Sequence, residues 1–251
     1  MKDYRNMRII SNIIVIYLCA VIALSKGLER QMFNKLYDFL STHDLISNHQ
    51  SAFHRHFSCQ SLLIKITDYL LRAMNNGNTN GLTMLHFRKA FNLVDHPTLL
   101  CKLNLYGLDD RAVLWFISYL SEREFQVSIG NQWSSRSKIT TGVPQGSILG
   151  PLLFIFHMNN LPLQLHKTQM DLYADDATQY VCGEIVAIIE RKLNEEIKPV
   201  DRWTADNKMA LNTTKTKAMV IGNSRKLSDL PSGFSLTIND SQIENTEIRN
   251  Y

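Results

Sequence analysis

Two adjacent carboxylates, Asp175 and Asp176, sit at the centre of an apolar-rich run from Met170 to Tyr180. The run reads as strand, turn, strand, so the chain must build a sheet whose hairpin tip carries an aspartate pair. Side by side the two charges repel, and a site that keeps both ionised usually holds a cation beside them. Magnesium fits such a site best, because it takes hard oxygen ligands from one or two carboxylates and substrate phosphates. A solvated Asp-Asp turn is the alternative for the dipeptide alone.

Composition narrows the classes. The chain has 251 residues, 45% hydrophobic and 20% charged, as a globular protein of one large or two small domains has. A net charge of +4 is compatible with a nucleic-acid groove without establishing one. Cys19, Cys59, Cys101 and Cys182 are far apart and form no CxxC pair. That spacing argues against a disulfide framework or a zinc site and for reduced thiols inside a cell, in cytoplasm or nucleus. The N-terminus offers a competing reading. Lys2, Arg5 and Arg8 precede the apolar run Ile13 to Leu24, and Ala23-Leu24-Ser25 follows with small residues, the outline of a secretory signal. The run is short for a membrane span. It is the one segment through which a membrane contact is expected, and it also reads as an element of the domain that follows. Asn212-Thr213-Thr214 and Asn239-Asp240-Ser241 have the form of glycosylation triplets, which are frequent by chance.

Periodicity predicts helices over 28–41, 61–74, 97–106 and 111–120, and a long one over 185–207 despite Pro199. Strands are predicted over 82–87 and 217–221, with a hairpin around Gly130-Asn131. A helix is predicted from near Ser147, with Pro151 in its first turns. This irregular alternation implies an α+β fold.

Four blocks stand in order: Leu85 to His96 (LHFRKAFNLVDH), Gly142 to Pro151 (GVPQGSILGP), Tyr173 to Asp176 (YADD) and Asn207 to Met219 (NKMALNTTKTKAM). In the second block Gly142, Gly146 and Gly150 let backbone approach a ligand, and Gln145 supplies an amide for a base or sugar edge. An ordinary Gly/Pro loop would look the same in isolation. Together with Asn48 to Ser58 (NHQSAFHRHFS), the ordered set resembles the reverse transcriptase domain of non-LTR (LINE-type) retrotransposons, from about Lys26 to the C-terminus.

The resemblance implies a right-hand polymerase with an antiparallel palm sheet packed on helices. It divides the chain into an apolar segment (1–25), a fingers-like helical part (26–80) and a palm (81–251). The palm would end near the primer-grip hairpin, with the thumb expected to be missing. It implies in-line phosphoryl transfer by two magnesium ions, with an RNA template, a DNA primer and deoxynucleoside triphosphates as partners. Asp175, Asp176 and the backbone carbonyl of Phe87 would hold metal. Phe91 would exclude a ribose 2′-hydroxyl, although it also reads as a core aromatic. Gln145, Gly146, Arg55 and Lys89 would line the nucleotide and template pocket. Lys215 would sit near the pyrophosphate leaving group, or be a plain exposed lysine.

Departures from the family pattern cluster at the chemistry. His86 stands where the family has its first metal-binding aspartate, and imidazole does not suit magnesium as oxygen does. His54 replaces a fingers arginine beside Arg55, Asn92 an acidic residue and Arg88 a small polar one. The sequence therefore predicts a reverse transcriptase domain, truncated relative to its family, with an incomplete two-metal site and impaired catalysis. The alternatives are a non-catalytic nucleic-acid-binding protein of the same descent, or a secreted or membrane-anchored product.

Overall fold

The computed structural model describes residues 3–222, 234–238, 241–243 and 245–250. Of the glycosylation-type triplets, Asn239 and Asp240 lie outside the described residues. In chain order the elements are α1 (Asp3–Thr42), α2 (Cys59–Asn75), β1 (Thr79–His86), α3 (Ala90–Leu93), α4 (His96–Leu105) and α5 (Asp110–Leu120). A surface arm follows, made of β2 (Glu124–Phe125), β3 (Ser128–Ile129), β4 (Gln132–Trp133) and β5 (Ser137–Lys138). Then come α6 (Gly150–Met158), β6 (Gln169–Tyr173), β7 (Asp176–Gly183), α7 (Val186–Asp206), β8 (Lys217–Gly222), β9 (Thr237–Ile238), β10 (Ser241–Gln242) and β11 (Asn245–Asn250).

The central sheet runs β11-β8-β1-β7-β6. Four of its strands pair antiparallel, as expected, but β11 joins β8 parallel, so the sheet is mixed at that edge. Strand side chains alternate between faces, and the two faces of β1 have different fates. Leu85, with Ala177, Val181, Ala218 and Val220 of its neighbours, joins the main core with Ile189, Leu193 and Val200 of α7. Gly81 lets α7 come close, since a Cβ there would lie 2.2 Å from Ile189 Cγ2. On the other face Leu82, Tyr180, Met219 and Ile221 pack under Leu62 and Ile66 of α2. That helix is started by a capping box between Ser58 and Ser61.

One boundary differs from the periodicity. The helix predicted over 28–41 extends back to Asp3 as part of α1, so the apolar run Ile13 to Leu24 lies inside it. Among the described residues no helix is long and apolar enough to cross a membrane. At α6 the helix starts at Gly150, three residues after Ser147 and with Pro151 in its first turn as expected; Ser147 Oγ accepts the Gly150 N–H at 2.9 Å in the turn that leads into it. Residues 152–158 of α6 are all buried, as expected of a core helix that is apolar all round. Pro199 is accommodated within α7.

Candidate active site

α2 covers the sheet only as far as Leu82. Beyond it the same face of β1 continues through Met84 to His86, and these open onto a cleft of about 600 Å³. Its lining includes His86, Asp176, Thr178, Lys215 and Lys217. The β1–β7 register sets His86 directly opposite Asp176, with His86 Nδ1 3.4 Å from Asp176 Oδ1. Lys215 arrives from a loop tied to the end of β1. Asn212 N–H donates to His86 O at 2.7 Å, and His86 N–H donates to the buried Thr216 Oγ1 at 3.3 Å. The structure thus brings His86, Asp176 and Lys215 together. Asp175, the second residue of the β6–β7 turn, is half-buried and does not line this cleft. Phe87 follows His86 with its ring buried against Trp203.

A second cluster is built around the GVPQG loop. Phe91 stacks on Phe154 with centroids 4.0 Å apart and meets Phe53 edge-on at 6.5 Å. The loop is held to the Phe91 segment by Val143 N–H to Phe91 O, Gly142 N–H to Val94 O and Gln145 Nε2–H to Asn92 Oδ1. Gly142 has φ +86°, and a Cβ there would lie 2.8 Å from Asn92 Cα, so only glycine fits. The far side of the loop is held by α1: Lys26 Nζ donates to Gly146 O at 3.0 Å, and Glu29 Oε2 accepts the Ile148 N–H at 2.8 Å. Lys89 is exposed, with φ +43°, at the start of α3.

Arg55 is drawn elsewhere. Its guanidinium lies 4.6 Å from the Tyr37 ring centroid and 3.9 Å from Asp38, both on α1. His54 stacks on Phe57 at 4.3 Å.

Sequence reasoning overlooked the brace beside the site. Asp171 is buried beneath α2 and accepts from Lys65 Nζ at 2.5 Å and Tyr180 Oη at 2.6 Å, with His49 Nδ1 at 2.9 Å. Burial alone would raise its pKa. The bonds from His49, Lys65 and Tyr180 outweigh burial and hold the carboxyl below its ordinary value. Burial, reinforced by that carboxylate, pushes the Tyr180 phenol up, so it stays a donor. The sequence signal available was the polar residue at a core-facing position of the strand.

Asp176 brings to the cleft a carboxylate, the class of donor that magnesium takes. Among the described residues no group of three or more His, Cys, Asp or Glu side chains is arranged to hold a metal ion. The residue opposite Asp176 offers a nitrogen where magnesium prefers oxygen.

The chain matches the family described as Reverse transcriptase (RNA-dependent DNA polymerase) over residues 17–248. It is 27% identical over 208 residues to the RNA-directed DNA polymerase from mobile element jockey of Drosophila melanogaster, covering 80% of this chain and 23% of that protein. It is 28% identical over 202 residues to the probable RNA-directed DNA polymerase from transposon BS of the same organism, covering 77% and 22%. The chain therefore spans about a quarter of the length of these curated relatives. Its fold is similar to that of telomerase from Candida tropicalis in complex with a fragment of telomeric RNA, with a TM-score of 0.58 at 11% identity over 78% of this chain and 33% of that one.

Proposed function

We propose a function from the premise that this chain belongs to the reverse transcriptase (RNA-dependent DNA polymerase) family, in its non-LTR retrotransposon branch. In this reading the chain holds an RNA template and a DNA primer along the open end of the palm sheet and extends the primer poorly. The family works with a divalent metal, which supplies charge neutralisation and polarises the attacking hydroxyl when bound. The observation that carries the reading is His86, 3.4 Å from Asp176. It occupies the strand position from which the family's first metal-binding aspartate would complete an oxygen cradle, so magnesium is held weakly.

The remaining residues serve binding and orientation. Lys215, in the cleft with Asp176, is a charge for substrate phosphate. Phe91, backed by Phe154, is a wall beside the nucleotide sugar that favours deoxynucleotides. Gln145 and Gly146, on the loop held by Asn92 and Lys26, face the template–nucleotide pair. Lys89 is a backbone contact. Arg55 is a weaker candidate, because Tyr37 and Asp38 hold it.

Primer extension across a magnesium titration tests this. The natural chain is expected to extend little, and His86→Asp to raise the rate by about 100-fold or more, since each 1.4 kcal/mol of transition-state stabilisation is roughly tenfold. Robust extension by the natural chain, abolished by Asp176→Ala, would overturn the proposal. Filter binding over a range of salt concentrations separates retained nucleic-acid affinity from extension, because backbone binding falls steeply with salt.

A further inference from the structure

We infer that Gln50 is a positioning residue: its amide oxygen fixes the backbone of the Ala174–Asp175 turn and so aims the Asp175 carboxylate. This rests on the reading of that turn as part of the polymerase site. Gln50 is fully buried, and its Oε1 accepts two backbone N–H groups, Ala52 at 2.9 Å and Ala174 at 3.1 Å. The backbone around it is clamped to the hairpin as a short parallel bridge between Gln50 and Leu172. Ser51 N–H donates to Leu172 O at 2.9 Å and Leu172 N–H to His49 O at 2.7 Å. Among the described residues Nε2 has no partner, so the side chain acts here through its oxygen.

The turn needs this support for a stereochemical reason. Its first residue is an alanine at φ +55°, where a hairpin turn ordinarily places glycine or asparagine. A non-glycine residue persists in that region when its surroundings over-determine it. Here the determinant reaches in from the segment before α2, 124 residues away in sequence. Asp175 is the next residue, so its Cα–Cβ direction follows from the dihedrals Gln50 holds.

Amide hydrogen exchange by NMR on the full chain tests the contact directly, comparing the natural sequence with Gln50→Met and Gln50→Glu. The Ala174 and Ala52 amides are expected to be protected in the natural chain and to exchange at least about tenfold faster in Gln50→Met, as loss of one hydrogen bond implies. Gln50→Glu, which keeps the acceptor, is expected to retain protection. Equal Ala174 protection in the natural and Gln50→Met chains would overturn the inference. If Gln50→Met unfolds the chain, protection disappears throughout β1 and β7. Gln50→Asn, too short to reach Ala174, then takes its place with the same two outcomes. In a His86→Asp background, Gln50→Met is expected to lower turnover by about tenfold with an unchanged KM for primer–template, because a small misplacement costs rate before affinity. A merely structural role would move both or neither. If the His86→Asp chain does not extend primers at all, the polymerase reading fails, while hydrogen exchange still decides the role of Gln50.

Discussion

Asp171 and Asp176 lie on the same face of one β-hairpin, and their surroundings are opposites. Asp171 has 1% of its side chain exposed, lies under α2 and has three side-chain partners. Asp176 is 73% exposed, lies past the end of α2 and, among the described residues, meets the His86 side chain at a long 3.4 Å. A buried carboxylate must be fully paired, because an unpaired buried charge is very costly. An exposed one is free to take a ligand. The same residue type therefore braces the fold at one position and leaves charge available at the other, and the length of α2 draws the line between them.

The largest expected effect is on stability. Asp171→Ala strands Lys65, His49 and Tyr180 and is expected to cost about 3 kcal/mol by denaturant unfolding, whereas Asp176→Ala stays within about 0.5 kcal/mol. Equal costs would break the comparison.

Acid titration sharpens it. Because the folded-state pKa of Asp171 is depressed below 3.8, its contribution is present above that value and is lost as pH falls through the folded value. Urea midpoints measured from neutral pH down to about pH 3 are expected to fall in the natural chain, with a shallower decline in Asp171→Asn than in Asp176→Asn. Equal slopes in the two variants would remove the brace from the argument.

The smallest effect lies in the cleft. Lys215→Gln is expected to weaken primer–template binding a few-fold and to reduce the salt slope by about one, with stability unchanged. A loss of stability there would mean that Lys215 belongs to the brace side.

Much of the architecture was readable from local pattern. Alternation and turn chemistry marked the hairpin around Asp175 and Asp176. Helical spacing marked α2, α4, α5 and α7, the last despite Pro199. The order of the four blocks pointed to the family that the comparisons bear out. Other features were not readable, for a common reason. His49 and Asp171 are 122 residues apart, Glu29 and Ile148 are 119 apart, and Arg55 turns to Tyr37 across 18 residues. No periodicity reports on partners at such separations. The Ser147–Gly150 bond before α6 and Ala174 as a supported left-handed turn are likewise settled by what packs around them.

The linear chain carried the hairpin with its acid pair, the loop of glycines and the histidine at the end of the LHF strand, because each is written in neighbouring residues and in side-chain chemistry that folding does not alter. Three-dimensional packing assigned the work: which aspartate is buried and satisfied, which stands open opposite an imidazole, and which distant glutamine holds the turn between them. Those roles depend on burial and on bonds across the sheet, and they come into being when α2 and the segment before it pack over β6 and β7.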